Sequence, residues 1–474
     1  MNYKDIIENL IDANNCTEDN SQKNLFSKED YETLLNDVLD VLKNNKDLSL
    51  EELREKLYEK SNLEEIIRDF FINYKKAPGS VISFGTNNYQ EKIIVGNRQE
   101  IDFNENKIID NYVLKMEEDT IFDLASVTKL FTSVAILQLA GNGDLKLNDS
   151  IKKYLPMFNN LGNHTIFDLL TFQPYHTEKR IDSVKTKEEA ESILFDARPY
   201  SIRELIGRDR YNDIAPMILK YIVEEVTQEP FEKYVYENIL LKGNMKSTYV
   251  KVDDDKLDRI ANNNFIYKIG NDGVLYVNSS INKGVASDAK AAILGQPNGN
   301  LSGHAGLFST CDDLVSFSKG LIDGTILHPD LTIEMSKNRT LGQIAYYGNI
   351  EYPQYYGFLC HSKHPNELFS EVYQGLSGRA LSQQGWTGTQ VTIDPINKIN
   401  LVFLSNRIHN RIVENKKKER KTFLMDSSRY AFEKNKVTNA CLKLALEEKI
   451  LEDIIGKDIE KERVIKKVKT ITSK

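Results

Sequence analysis

The sequence predicts a mixed α/β protein, and three patterns indicate this class. Two short β-branched runs, residues 78–85 and 92–96, are separated by polar turn residues, which is typical of a β-hairpin. The stretch FDLASVTKLFTSVAILQLAGNG, residues 122–143, reads as a helix that is apolar almost all round and ends at glycines. Residues 388–406, GTQVTIDPINKINLVFLSN, read as two further strands around a proline-containing turn. Strand-like sequence at residues 78–96 and 388–406 therefore lies on either side of helical sequence.

The remaining elements follow from local patterns. SLEELREKLYEK, residues 49–60, begins with a Ser and Glu three residues apart, which is a helix capping box, and residues 62–77 continue in helical sequence. Apolar spacing predicts helices at HTIFDLL, at IAPMILKYIVEEVT and after the Gly-rich turn GHAGLF. Residues 175–210 are polar and give no clear element, and residues 250–300 read as long loops. Two more helices are expected after the basic loop NKKKERK.

Composition limits the class of protein. The chain has 474 residues, 40% of them hydrophobic, which suffices for a large core. Its net charge of −8 argues against a nucleic-acid partner, and no apolar run is long enough to span a membrane. The N-terminus does not resemble a secretory signal, so we expect a cytoplasmic protein. Its four cysteines are far apart and are expected to be free thiols: Cys16, Cys311, Cys360 and Cys441.

The two ends of the chain carry opposite charge. The net charge is −7 over residues 1–60 and +7 over residues 411–474. Both segments are predicted to be helical and neither contains a catalytic motif. They are either two separate solvated faces or two surfaces that pack together.

The candidate catalytic motif is Ser126-x-x-Lys129. Ser-x-x-Lys occurs five times, starting at Ser126, Ser150, Ser280, Ser287 and Ser316, so spacing alone does not identify a site. Only the first begins a helix with the pattern of a buried one, where Lys129 would reach Ser126 across one turn. A desolvated lysine there loses its proton more easily and can act as a base, while the helix N-terminus favours a developing alkoxide. The alternative is structural, with Ser126 as a helix cap and Lys129 extending to solvent.

The stretch LASVTKLFTSVAILQLAGNGDLKLNDSIKKYLPMF resembles the nucleophile helix of the serine beta-lactamase and penicillin-binding-protein superfamily. The likeness is strongest to the class C beta-lactamase-like branch, which includes D-Ala-D-Ala carboxypeptidases and esterases, and covers roughly residues 64–410. It implies an antiparallel sheet flanked by helices with an inserted helical domain. The expected division is an acidic helical extension (1–60), the hydrolase domain (61–411) and a basic helical extension (412–474). Within the hydrolase domain, α/β parts at about 61–140 and 300–411 would enclose a helical part at about 141–299.

The resemblance also implies site residues. Ser126 would be the acylated nucleophile and Lys129 its proton acceptor, assisted by Tyr211 of the RYNDIAPM stretch. Asp213 takes the place of the family's usual Asn. An ionised Asp cannot donate a hydrogen bond, and a carboxylate near Lys129 would hold that lysine charged. Asp213 also directly precedes a predicted helix, so an N-cap role is the alternative.

The family's third motif, Lys or His followed by Thr-Gly, fits in two registers. The preferred one is Gln383-Gln384-Gly385, with the backbone N–H of Trp386 joining that of Ser126 in an oxyanion hole. The other is Trp386-Thr387-Gly388. Neither register has the lysine that binds a substrate carboxylate in this family, which argues against beta-lactams and D-Ala-D-Ala ends as preferred substrates.

The sequence therefore predicts a serine hydrolase that cleaves a small ester, amide or peptide through an acyl-enzyme. A D-Ala-D-Ala carboxypeptidase or beta-lactamase-type peptidase is the alternative within the same chemistry. A catalytically weakened binding or regulatory homologue is the alternative outside it. No cofactor is expected, no cluster has metal-ligand spacing along the sequence, and His304 is expected to be structural. The sequence leaves the oligomeric state open.

Overall fold

The computed structural model describes residues 3–15, 28–104, 107–263, 266–269, 275–277, 283–295, 299–340, 343–347, 349–409, 411–413, 420–422, 429–455 and 465–471. Its α-helices are α1 Tyr3–Asn15, α2 Lys28–Asn44, α3 Leu50–Lys60, α4 Leu63–Arg68, α5 Thr128–Asn142, α6 Ile151–Tyr154, α7 Ile166–Leu170, α8 Lys187–Phe195, α9 Ile202–Leu205, α10 Ile214–Thr227, α11 Phe231–Val235, α12 Ala289–Leu294, α13 Cys311–Asp323, α14 Pro329–Ser336 and α15 Tyr430–Ile455. In the part of the chain so described, no helix combines the length and apolar character needed to cross a bilayer.

The strands are β1 Gly79–Gly85, β2 Tyr89–Asn104, β3 Lys107–Lys115, β4 Phe122–Asp123, β5 Tyr175–His176, β6 Arg198–Pro199, β7 Ile266–Ile269, β8 Leu275–Val277, β9 Phe308–Ser309, β10 Ile344–Tyr347, β11 Ile350–Pro353, β12 His361–Ser362, β13 Leu381–Gly385, β14 Thr389–Asp394, β15 Ile399–Ser405, β16 Arg411–Val413, β17 Arg420–Thr422 and β18 Ile465–Ile471. The main sheet has eight strands in the order β12-β13-β14-β15-β1-β2-β18, with β3 also paired to β2. The predicted hairpin is β1–β2, and the predicted closing pair is β14–β15.

The central strands of this sheet are buried on both faces. Ile82 of β1 and Phe403 of β15 pack against the terminal helices, whereas Val81 and Val402 on the same strands pack against the core around α5 and α13. Side chains alternate across a strand, so each strand supplies one apolar row to each layer. Near-continuous apolar strand sequence is the expected pattern for a sheet covered on both sides.

The two ends of the chain lie on the same side of the sheet. Helix α15 packs against α2, α3 and α4, and all four contribute to one apolar cluster with the sheet. Opposite-charge contacts of the second alternative also occur, at Lys443–Asp37 (3.5 Å) and Lys469–Glu55 (3.5 Å). These pairs are partly exposed and such pairs contribute little stability, so the contact between the ends is mainly apolar.

The sequence predicted two helices at the C-terminus, and the prediction of the second helix is wrong. One 26-residue helix, α15, is followed by β18, which pairs in parallel with β2 at the sheet edge. Four of the seven residues of β18 are β-branched, namely Ile465, Val468, Thr470 and Ile471. Such residues favour strands, and this local signal points to the observed structure.

A buried ion pair joins the two terminal segments and gives a stability prediction. Arg54 Nε donates to Glu448 Oε1 at 2.8 Å, and both side chains are at most 4% exposed. We expect Arg54→Met to lower the free energy of unfolding by about 3 kcal/mol, because Glu448 then stays buried without its partner. Denaturant unfolding at pH 8 measures the change.

The double variant Arg54→Met/Glu448→Leu is expected to regain most of that loss, since an apolar pair needs no compensating charge. Lys28→Met, which removes a solvated pair with Glu32 on α2, serves as the control. A single-variant loss no larger than that of Lys28→Met would contradict the prediction.

Candidate active site

The candidate nucleophile lies at a tight turn before α5. Strand β4 pairs with β9, and the chain then passes through Ala125, whose φ of 45° is in the left-handed region. Such a conformation costs on the order of 1–3 kcal/mol for a residue with a side chain. The buried carboxylate of Asp123 stabilises it, because it accepts hydrogen bonds from Ala125 N (2.9 Å) and Ser287 N (2.7 Å). This turn places Ser126, in a short 3₁₀ segment, at the start of α5.

Helix α5 is buried as the sequence predicts, and Lys129 does not extend to solvent. Residues 128–139 are all buried, and Lys129 is fully so. Its ammonium donates to Ser126 Oγ at 2.9 Å, to Asp213 Oδ1 at 2.7 Å and to His304 O at 3.3 Å. An amine in this position has a direct path to the Ser126 hydroxyl.

The electrostatics of this pair favour a charged Lys129. Burial opposes the ammonium form, but Asp213 and the neighbouring Tyr211 outweigh burial and raise the pKa of Lys129 well above its ordinary value. Burial likewise opposes the Asp213 carboxylate, yet Lys129, His304 and Lys290 lower its pKa below the ordinary range. The two groups therefore form an ion pair at neutral pH.

Asp213 is at the N-cap position of α10, but its side chain makes no capping hydrogen bond. Asn212 takes that role instead, since its Oδ1 accepts from Ala215 N at 2.9 Å. The Asp213 carboxylate faces the site: Oδ1 contacts Lys129, and Oδ2 lies 3.2 Å from Lys290 Nζ. Asp213 therefore occupies the N-cap position with its backbone, but its side chain binds lysines instead of capping the helix.

Tyr211 lies beside this ion pair. Its ring centroid is 4.9 Å from Lys129 Nζ and 4.9 Å from the Phe172 ring. Its backbone is fixed by Asp209, whose Oδ1 accepts from Tyr211 N at 2.9 Å. Its hydroxyl oxygen accepts a hydrogen bond from Gln383 Nε2 at 3.0 Å. The phenol therefore lies between α5 and β13.

Strand β13 carries the triplet Gln383-Gln384-Gly385 on the side of Ser126. Gln383 is fully buried, and its Nε2 also donates to Ser126 O at 3.2 Å. Gly385 crosses so close to the nucleophile turn that an added Cβ would lie 2.4 Å from Leu124 O. Trp386 follows at the end of the strand with its side chain 44% exposed. Gln383 of this triplet therefore lies directly against Ser126.

No ammonium occupies the Gln383 position. The next residue, Gln384, donates from Nε2 to the carboxylate of Glu371 in a short contact, and Lys434 Nζ of α15 lies 3.9 Å from the same carboxylate. This side of the site therefore has two amides, with the Glu371 carboxylate and the Lys434 amine behind them.

Sequence spacing missed one cluster. Ligand atoms of Asp213, Asp288 and His304 approach to within 4.8 Å of one another, a distance compatible with a metal site. The carboxylates contact lysines instead, Lys129 on Asp213 and Lys290 on both. These residues are far apart along the chain, and only the meeting of α5, α10, α12 and the 302–306 turn brings them together. His304 has the structural hydrogen bonds that the sequence suggested, since its ring contacts Ser302 Oγ (3.1 Å) and Asp288 Oδ1 (3.0 Å).

Three comparisons with known proteins bear on this site. The family model described as Beta-lactamase matches residues 101–421. Among curated relatives, a proposed D-alanyl-D-alanine carboxypeptidase of Escherichia coli (strain K12) is 27% identical over 338 residues, covering 64% of this chain and 73% of the relative. A protein of Salmonella typhi with the same name is 25% identical over 325 residues, with the same coverage.

Solved structures share the fold. The octameric penicillin-binding protein homologue from Pyrococcus abyssi aligns with a TM-score of 0.53 at 21% identity, over 85% of this chain and 78% of that one. The hydrolase EstCE1, which has promiscuous acyltransferase activity, aligns with a TM-score of 0.57 at 17% identity, over 81% and 99%. A class C beta-lactamase aligns with a TM-score of 0.56 at 14% identity, over 82% and 98%.

Proposed function

The chain belongs to the beta-lactamase family, and from this premise we propose that it is a serine hydrolase forming an acyl-enzyme at Ser126. The observation that carries the proposal is the 2.9 Å contact between Lys129 Nζ and Ser126 Oγ at the start of a buried helix. A fully buried ammonium that contacts a serine hydroxyl has no packing advantage over an apolar residue. Its position is accounted for by nucleophilic catalysis.

In acylation, Ser126 Oγ attacks the carbonyl carbon of the substrate and forms a tetrahedral intermediate. Backbone N–H groups of Ser126 and Trp386 would stabilise its oxyanion. The hydroxyl proton passes to a neighbouring base and then to the leaving group as the C–O or C–N bond breaks. Water then attacks the acyl-enzyme and gives a proton to the same base. The base passes this proton to Ser126 Oγ as the acyl C–O bond breaks, which releases the acid and regenerates the free serine.

We assign the base to Tyr211 and not to Lys129. The Asp213 carboxylate 2.7 Å from Lys129 Nζ favours the ammonium form, so this lysine is poorly suited to accept a proton. Tyr211 lies next to it with its oxygen already accepting a hydrogen bond from Gln383. Lys129 would then contribute its positive charge, which stabilises the phenolate that takes the serine proton.

The neutral side chain at Gln383 favours substrates without a carboxylate next to the scissile bond. An amide group cannot supply the charge-assisted pair that a lysine makes with a carboxylate. We therefore propose a small ester as the preferred substrate and a small amide as the second choice. The names of the curated relatives favour a D-Ala-D-Ala carboxypeptidase, which is the second candidate function. We also propose a cytoplasmic location, since the four cysteines are too few and too far apart along the sequence for a disulfide framework.

A fluorophosphonate probe tests the proposal. We expect stoichiometric covalent labelling, with peptide mapping placing the label on Ser126, and hydrolysis of short acyl esters in preference to D-Ala-D-Ala peptides. Faster release of D-Ala than of the esters would favour the carboxypeptidase. A folded chain that takes up no label and turns over neither substrate would favour a binding or regulatory homologue.

A further inference from the structure

A second Ser-x-x-Lys motif, Ser287-Asp288-Ala289-Lys290, leads to the candidate site although its serine is not the nucleophile. Lys290 Nζ lies 3.2 Å from Asp213 Oδ2 and 2.9 Å from Asp288 Oδ2. The other oxygen of Asp213 is held by Lys129 at 2.7 Å. One carboxylate thus joins the lysines of two such motifs.

The contacts close into a ring of five residues. Lys129 contacts Asp213, Asp213 contacts Lys290, Lys290 contacts Asp288, Asp288 contacts the His304 ring, and His304 O accepts from Lys129. Asp288 also fixes the backbone of the motif, since its Oδ1 accepts from Lys290 N (2.9 Å) and Ala291 N (3.0 Å). The Lys290 ammonium is therefore held in place and only partly solvated.

We propose that Lys290 is a positioning residue for the hydrolytic reaction. Because Lys290 contacts one oxygen of the Asp213 carboxylate while Lys129 contacts the other, it balances the charge around Lys129. This inference rests on the proposed function. With both lysines present, two ammonium groups face the two carboxylates of Asp213 and Asp288. Loss of Lys290 makes the ring one charge unit more negative beside the oxyanion that forms at Ser126, and added negative charge there opposes the transition state.

Other charged groups near Lys290 do not replace it. Helix α12 packs against α8 and against the turn Ile181–Ser183. Asp182 of that turn interacts electrostatically with Lys290 but is paired with Arg180 at 2.6 Å. On α8, Lys187 and Glu191 pair with each other at 3.7 Å, and Glu188 and Glu189 are its other charged residues. Among the described residues named here, Lys129 and Lys290 are the lysines that contact the Asp213 carboxylate, and the His304 ring lies within 4.8 Å of it.

The test compares Lys290→Met and Lys290→Arg with the unaltered chain on a short acyl ester. We expect Lys290→Met to lower kcat by about tenfold and to leave KM nearly unchanged. It should also move the acidic limb of the kcat/KM profile to higher pH, because a positive charge next to the Lys129–Asp213 pair is lost. Lys290→Arg, which keeps the charge, is expected to restore the profile.

The matched control is Lys153→Met. Lys153 ends another of the five Ser-x-x-Lys sequences, Ser150-Ile151-Lys152-Lys153, and forms an exposed ion pair with Asp149. This variant should leave kcat and the pH profile unchanged. A stable Lys290→Met variant whose profile coincides with that of the unaltered chain would overturn the inference while leaving the proposed function intact. Failure of the unaltered chain to turn over esters and to react with the fluorophosphonate would instead overturn the proposed function, and this inference with it.

Discussion

Replacing Ser126 with alanine is expected to remove esterase turnover, by roughly 10⁴- to 10⁶-fold in kcat. The variant lacks the oxygen that attacks the substrate, so no acyl-enzyme forms and the fluorophosphonate finds no nucleophile. The fold should persist, because Lys129 keeps its contacts with Asp213 and His304 O. Steady-state kinetics, probe labelling and a thermal unfolding scan measure the three expectations.

Helix α13 offers a matched control for this variant. Ser316 and Lys319 have the same spacing as Ser126 and Lys129, but the Lys319 ammonium donates to Asn87 O. Ser316→Ala is therefore expected to retain full turnover and full labelling. Retained turnover in Ser126→Ala, or labelling that disappears only in Ser316→Ala, would contradict the assignment of the nucleophile.

Much of the fold could be predicted because its signals are local. The capping box at Ser49 and Glu52 is present at the start of α3, and α10 covers the residues that apolar spacing predicted. The apolar run after Ser126 is buried, and Gly143 ends α5 with a φ of 86°. In each case the signal lies in one short continuous stretch of sequence, as a cap, a terminal glycine or a helical apolar spacing, so the sequence contains it.

The rest of the site could not be predicted in this way. Lys290 and His304 reach the Lys129–Asp213 pair only in the folded chain, because they are far from it along the sequence. Glu371 likewise contacts Gln384, and Lys434 of α15 contacts Glu371, only in the folded chain. Such contacts depend on tertiary structure, and no regular spacing marks them. Tyr211 and Gln383 were reached through family resemblance instead.

The family resemblance also gave an assignment, Lys129 as the proton acceptor, that the geometry of the site leads us to revise. The family pattern suggested Lys129 as the proton acceptor, but the distance between Lys129 and Asp213 depends on the fold. At 2.7 Å the pair favours a charged lysine, and the proton-transfer role moves to the neighbouring phenol in our proposal. The difference is testable because the two candidate bases can be altered separately.

Tyr211→Phe is expected to lower kcat by about 10²- to 10⁴-fold, the usual contribution of a general base, with KM nearly unchanged. Phenylalanine keeps the ring contact with Phe172, and Gln383 keeps its hydrogen bond to Ser126 O. The change therefore removes one oxygen from the reaction path and little from the packing. Pre-steady-state kinetics with a chromogenic ester should show slower acylation.

Tyr154→Phe provides the control, since its hydroxyl donates to Asp149 Oδ2 at 2.6 Å rather than to a reacting group. It should change kcat little. Lys129→Met is expected to reduce turnover under either assignment, as its charge and its amine are lost together. The decisive result is therefore Tyr211→Phe: near-normal acylation in that variant, with Lys129→Met inactive, would return the proton to Lys129. That result would also require the ion pair between Asp213 and Lys129 to break during the reaction.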